Sequence, residues 1–173
     1  SGVTAVGTGR NVLRSYSLAV AVGLVAIFVW ILSDPFYPWI TRLMGGKEPV
    51  PFDPTTIESV LWRYVFIGFR VFGAVVVVAL MEEIFWRGFL IRWLDDKDFK
   101  RVPFGSCSWK SFVITVVLFG LAHEQWLAGL VCGVLYNWLY CRRKELFSCV
   151  LAHATSNAAL AAWVLWRGDW KFW

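Results

Sequence analysis

Between Val12 and Leu32 the chain carries 21 residues with a single charge, Arg14. As a helix, a run of that length covers about 31 Å, the thickness of a bilayer's hydrocarbon core. Lipid offers no partner to a backbone N–H or C=O, so such a segment must close its hydrogen bonds within itself, as a helix does. Further apolar stretches follow over 57–94, 111–123, 126–141 and 146–166. Apolar residues make up 58% of the 173 and charged ones 17%. A water-soluble domain of this size could not bury so much apolar surface. An ordinary soluble enzyme, a secreted disulfide scaffold and a disordered region are therefore excluded. The expected fold is all-α: a polytopic membrane bundle of about five to six helices, forming one domain over 12–173. Residues 1–11 read as a disordered or processing remnant apart from it.

The punctuation between the runs sets the organisation. Asp34-Pro35 and Pro38 end the first helix, and five of the six prolines plus Gly45-Gly46 mark 33–56 as an extramembrane loop. As one helix, 57–94 would extend about 57 Å, too long for one bilayer crossing, so a break or an interfacial segment is expected there. Arg63 and Arg70, seven apart, share a helix face and are expected to snorkel or to line the bundle interior. Gly129 and Gly133 form a GxxxG that lets helix backbones approach closely. The net charge of +5 invites a nucleic-acid reading, but the cations sit in short loops between apolar runs, so no nucleic-acid partner is expected. With the N-terminus inside, the inner loops hold ten Lys and Arg and the outer loops four. The positive-inside rule then gives about five spans with the C-terminus outside. Cys107, Cys132, Cys141 and Cys149 form no CxxC pair. They are expected to act as buried small hydrophobes, with no disulfide framework and no zinc ribbon.

The informative residues are those a membrane helix should not contain. Glu82 and Glu83 directly follow the run Val71–Met81, and Arg87 lies four residues after Glu83, on the same helix face. Glu82 is rotated by about 100° and can point elsewhere. A second cluster is Phe119-Gly-Leu-Ala-His123, and a third is His153-Ala-Thr-Ser-Asn157, whose ends again share a face. Singly, each has a bland explanation: a satisfied ion pair, a hydrogen-bonded core histidine, an asparagine gluing helices. Depth argues for a common purpose. Measured from the nearest basic inner loop, Glu82, His153 and His123 lie about 15, 14 and 20 Å into the membrane. A carboxylate and an imidazole facing one water can take its proton and return it to a leaving amine. An Asn amide and a second imidazole can donate to a developing oxyanion. Ser156 is the nearest candidate nucleophile, but it lies on the same helix as His153, so covalent catalysis is less favoured.

Glu82-Glu83-x-x-x-Arg87, Phe119-x-x-x-His123 and His153-x-x-x-Asn157, in this order, resemble the three motifs of the CAAX protease and bacteriocin-processing (CPBP, or Abi) family of intramembrane proteases. The resemblance covers about 70–173. Within it, MEEIFWRGFLIRWL, VPFGSCSWKSFVITVVLFGLAHEQWLAGL and the ending GDWKFW are similar to a bacterial subgroup associated with exosortase-type protein sorting. The resemblance implies a glutamic-type peptidase in which Glu82 and His123 activate water, His153 and Asn157 form the oxyanion hole, and Glu83, Arg87 and Phe119 support them. It implies no cofactor, with zinc held by Glu82, His123 and His153 as the alternative. The implied substrate is a membrane-anchored protein cut near its C-terminal region, and the implied location is a bacterial inner membrane. Five spans are fewer than in the eukaryotic CAAX endoproteases, so both a complete enzyme and one part of a longer polypeptide stay open. Two other readings use the same residues: a non-enzymatic immunity or scaffold protein, and a small transporter with an intramembrane polar path.

Overall fold

The computed structural model describes residues 9–43 and 50–172. Six helices carry the fold: α1 (Gly9–Ser33), α2 (Tyr37–Leu43), α3 (Val60–Asp95), α4 (Trp109–Leu121), α5 (Trp126–Arg143) and α6 (Phe147–Arg167). No strand occurs among the described residues, and the all-α membrane bundle is the observed architecture. The expectation for residues 1–11 lies outside the described residues as far as 8, and α1 starts at Gly9.

Local chemistry sets the boundaries. Pro35 ends α1 in a single 3-10 turn, Asp34–Phe36. The chain then turns helical again as α2, so 33–56 is not simply a loop. Ser59 caps α3 by accepting the Trp62 N–H, and Ser108 caps α4 by accepting the Ser111 N–H at 3.1 Å. Ser108 also donates its hydroxyl to Asp95 at 2.6 Å, which ties the end of α3 to the start of α4. Lys144 and Gly168 close α5 and α6 in the left-handed conformation.

The long apolar stretch does not break. α3 stays helical for 36 residues, with two π-helical segments inside it, Gly73–Val78 and Ile84–Leu90. A π turn widens the ladder and leaves carbonyls open to side-chain donors. Ala74 accepts from Asn157 and Gly88 accepts from Arg92, both at 2.8 Å. Against the expected five spans, three helices among the described residues are long and apolar enough to cross a membrane, over Tyr16–Trp39, Val60–Asp95 and Phe147–Arg167. α4 has only 13 residues and rises about 20 Å, short of a full crossing.

Packing is inverted relative to a soluble protein. Leu24, Phe28, Leu61, Trp62 and Phe69 face outward, while Glu83, Arg87, Thr115, Asn137 and His153 are buried. α1 packs on α5 and α6, α4 on α5, and α6 on α3. Small residues set the close approaches. A Cβ at Gly129 would meet Gly120 Cα of α4 at 3.0 Å, and one at Gly133 would meet Val116 Cα at 3.3 Å. The GxxxG therefore has α4 as its partner.

Two sequence expectations are corrected at the end of the bundle that holds the 96–108 loop. Cys107 and Cys141 form a disulfide, with Cα atoms 6.6 Å apart. Their 34-residue separation hid the pairing, which depends on the α4–α5 hairpin bringing its two ends together. Cys132 and Cys149 are free and buried, as expected of small hydrophobes. Arg92, counted as a loop charge, is buried in the last turn of α3. It donates to the Val102 carbonyl at 2.8 Å and lies 4.3 Å from the Phe104 ring, so it clamps the loop. Arg63 folds back on the Ile57 carbonyl at 2.8 Å.

Candidate active site

The site is assembled where α3, α5, α6 and the α4–α5 turn meet. Glu82 and Glu83 lie between the two π segments of α3. One residue of rotation sends their side chains in different directions. Glu83 turns into the protein, and its side chain and that of Arg87 are both 0% exposed. Glu83 Oε1 accepts from Arg87 Nη1 at 3.0 Å and lies 2.9 Å from His153 Nδ1. Arg87 Nε donates to Asn137 Oδ1 at 3.0 Å, and Asn137 Nδ2 donates to the Phe112 carbonyl at 3.1 Å. The guanidinium also lies over the Phe119 ring, 4.7 Å from its centroid. One buried carboxylate thus neutralises a guanidinium and orients an imidazole, in surroundings where an unpaired charge would be strongly destabilising.

Glu82 faces the other way. Its Oε2 is buried without a hydrogen-bond partner and lies 3.9 Å from His123 Nε2. That is too long for a direct hydrogen bond. His123 Nδ1 lies 2.7 Å from the Phe119 carbonyl, which can only accept. Nδ1 therefore carries the proton, and Nε2 presents its lone pair toward Glu82 when the ring is neutral. His123 lies outside the helix in which the sequence reading places it. α4 ends at Leu121, and the histidine sits in the turn that follows, with the Trp30 ring of α1 edge-on to it at 5.5 Å.

The four candidate residues share one cavity. Glu82, His123, His153 and Asn157 line a space of about 230 Å³, closed on the α1 side by Ala26 and Trp30. His153 reaches it with Nδ1 already engaged by Glu83, so only Nε2 is left for a reacting group. The Asn157 amide gives one N–H to the Ala74 carbonyl and has a second to offer. Ser156 also lines the space, but its hydroxyl pairs with Tyr136 OH at 2.7 Å and donates to the His153 carbonyl at 2.8 Å. It is held against a phenol and its own helix backbone. Arg87 and Glu83 stand behind the wall, and the Phe119 ring packs between the guanidinium and the two histidines.

Sequence reasoning missed Asn137, Tyr136 and Trp30. Asn137 carried a usable signal, since an amide in an apolar helix is costly without partners. Tyr136, whose ring stacks on His153 with centroids 5.3 Å apart, and Trp30 carried none, being two among many aromatics.

The zinc alternative requires three ligands around one point. Among the described residues no group of three or more His, Cys, Asp and Glu is arranged to hold a metal ion. Each histidine has its Nδ1 turned to a protein acceptor, which leaves Nε2 as the ring nitrogen open to the cavity.

Comparison with known proteins points the same way as the geometry. A sequence model of the type II CAAX prenyl endopeptidase Rce1-like family matches residues 64–159, a stretch that contains every residue of the three motifs. No curated protein and no solved structure matches the chain. Because that match takes in more than half of the sequence and its motif side chains meet around one intramembrane cavity, the chain belongs to the type II CAAX prenyl endopeptidase Rce1-like family of intramembrane proteases.

Proposed function

We propose that the chain is a metal-free, glutamic-type endopeptidase. In this reading a water molecule lies in the cavity against Glu82 Oε2 and His123 Nε2. These two groups take one proton from it as its oxygen attacks the scissile carbonyl. The new C–O bond pushes the carbonyl electrons onto oxygen. That oxyanion receives the second Asn157 N–H and the Nε2–H of His153 in its imidazolium form, whose Nδ1–H is donated to Glu83. The C–N bond then breaks, and the proton held by Glu82 and His123 passes to the leaving amine. Glu83 and Arg87 act through His153, as positioning residues. The observation that carries the reading is the shared cavity of Glu82, His123, His153 and Asn157.

The substrate in this reading is a membrane-anchored protein cut near its C-terminal region. The bacterial exosortase-associated subgroup and a bacterial inner membrane rest on the stretches MEEIFWRGFLIRWL, VPFGSCSWKSFVITVVLFGLAHEQWLAGL and GDWKFW. The test uses purified protein in nanodiscs, apolar membrane peptides and 18O-water, with new termini read by mass spectrometry. Wild type should incorporate 18O at new C-termini. Glu82→Gln and His123→Ala should each cut at least about 100-fold slower while remaining folded. Undiminished cleavage in both variants would refute the mechanism.

A further inference from the structure

Of the four residues around the cavity, His123 is the one that no helix carries. It sits in the 122–125 turn between α4 and α5. Inside its own segment the ring is steadied by one bond, between Nδ1 and the Phe119 carbonyl. At the far end of the turn Gln125 takes the N-cap position of α5, and its side chain makes no capping bond there. A helix that begins in this way leaves N–H groups to be satisfied from elsewhere.

A corner built from three other segments supplies what the turn lacks. After α1 the chain bends through Asp34–Phe36 into α2. Tyr37 OH, in the first turn of α2, accepts the Ala128 N–H at 2.8 Å and so caps α5 where Gln125 does not. Asp34 Oδ1 accepts from Gln125 Nε2 at 3.3 Å, and Asp34 Oδ2 pairs with Lys171 in the segment after α6. Lys171 is also 3.6 Å from Asp169, so the ammonium is held on two sides. Four residues before Asp34, Trp30 sets its ring edge-on to His123. Trp30, Asp34, Tyr37 and Lys171 all lie outside 64–159, so the family match does not account for this corner.

We propose that Asp34 and Tyr37 are positioning residues for the reaction, fixing the α4–α5 turn so that His123 Nε2 stays near Glu82 Oε2. The two atoms are 3.9 Å apart. One water hydrogen-bonds both only while they remain within about 5.5 Å, twice an ordinary hydrogen-bond length. A turn that drifts by an ångström or two loses that geometry, and misplacement on this scale slows chemistry by up to about 100-fold. Asp34 acts through Gln125, Tyr37 acts through the first turn of α5, and Lys171 holds Asp34 in place.

The proposal rests on the hydrolytic reading of the cavity, so its test observes the ring as well as turnover. His123 and His153 are the only histidines in the chain. Strep-tagged protein labelled with 13C,15N-histidine in nanodiscs therefore gives two imidazole signals, assigned with His153→Gln. In Asp34→Ala/Tyr37→Phe the His123 signal should broaden or split, while the His153 signal, which reports an intact bundle, stays in place. With apolar membrane peptides, kcat should fall about tenfold or more and KM should change less than about twofold. Asp34→Asn keeps an acceptor for Gln125 and should retain a sharper His123 signal and more of kcat than Asp34→Ala. An unmoved His123 signal in the double variant would overturn the proposal. Equal disturbance of both histidines would overturn it too, because the corner would then support the whole bundle and not the turn, and so would an unchanged kcat beside a displaced ring. Failure of wild type to hydrolyse any peptide would sink the peptidase mechanism alone, and the imidazole signals would still decide whether the corner holds His123.

Discussion

Replacing Arg87 with methionine isolates the buried charge system from the reacting groups. The guanidinium is fully enclosed, and it gives Glu83 and Asn137 one hydrogen bond each. Methionine keeps much of the volume and removes the charge. The Glu83 carboxylate, itself fully buried with Oε2 already unpartnered, then has only His153 to balance it. Breaking one member of a buried ion pair costs about 3–5 kcal/mol. Asn137 Oδ1 loses its donor as well, at about 1 kcal/mol or more. The expected loss is therefore about 4–6 kcal/mol, a large share of the 5–15 kcal/mol typical of whole domains. The free thiols of Cys132 and Cys149 provide the assay, because both are buried and react with a fluorogenic maleimide only when the bundle opens. A Glu83→Gln/Arg87→Met double variant carries neither charge and should recover at least about 2 kcal/mol relative to the sum of the singles. An Arg87→Met protein as stable as wild type, or a double variant whose losses simply add, would refute the account of a charge-balanced core.

Packing and covalent topology give further outcomes. Gly23→Ala would push a methyl group into the Ala152 carbonyl of α6, with Thr155 Cβ 2.8 Å away, and should destabilise the protein by about 1–3 kcal/mol in the same thiol assay. Gly68→Ala meets nothing within 4 Å and should be neutral or slightly stabilising, by up to about 1 kcal/mol, and matching shifts in the two variants would contradict the helix contact described. Cys107→Ser opens a loop that spans 34 residues and should lower the stability of oxidised protein by up to about 4 kcal/mol, with no effect on reduced protein. Acid-quenched alkylation of whole cells reports the in-cell state of that pair. A bridge found oxidised there would place the cation-rich end of the bundle on the oxidising side, against the charge count.

How legible each part was depended on how local its cause was. Glu83 and Arg87 were readable as a pair, because four residues on a helix place two side chains together whatever surrounds them. The similar depth of Glu82, His123 and His153 was readable because helix rise is constant, and their shared cavity agrees with it. The Cys107–Cys141 bridge, the clamp made by Arg92 and the Asn137 bond to Arg87 were not readable. Each joins segments far apart in sequence, and nothing in the spacing of one member points to the other. In α3 a break or an interfacial segment was expected on length alone, and of these the break does not occur: the helix runs 36 residues with two π segments. Lipid penalises any interruption that strands backbone groups, and Asn157 and Arg92 satisfy carbonyls in the widened turns.

By itself the sequence determined that the chain is a helical membrane protein, that it carries the three motifs of a protease family, and which side chains could do chemistry. Those properties follow from hydropathy, helix period and residue type, which act over a few turns of one segment. Tertiary structure alone decided which nitrogen of each histidine faces the cavity, that Glu83 and not Glu82 holds His153, and that Asp34 and Tyr37 reach the two ends of the join between the His123 turn and α5. Those are relations between helices, set by where small residues such as Gly23, Gly120 and Gly129 let backbones touch, and no single segment encodes them.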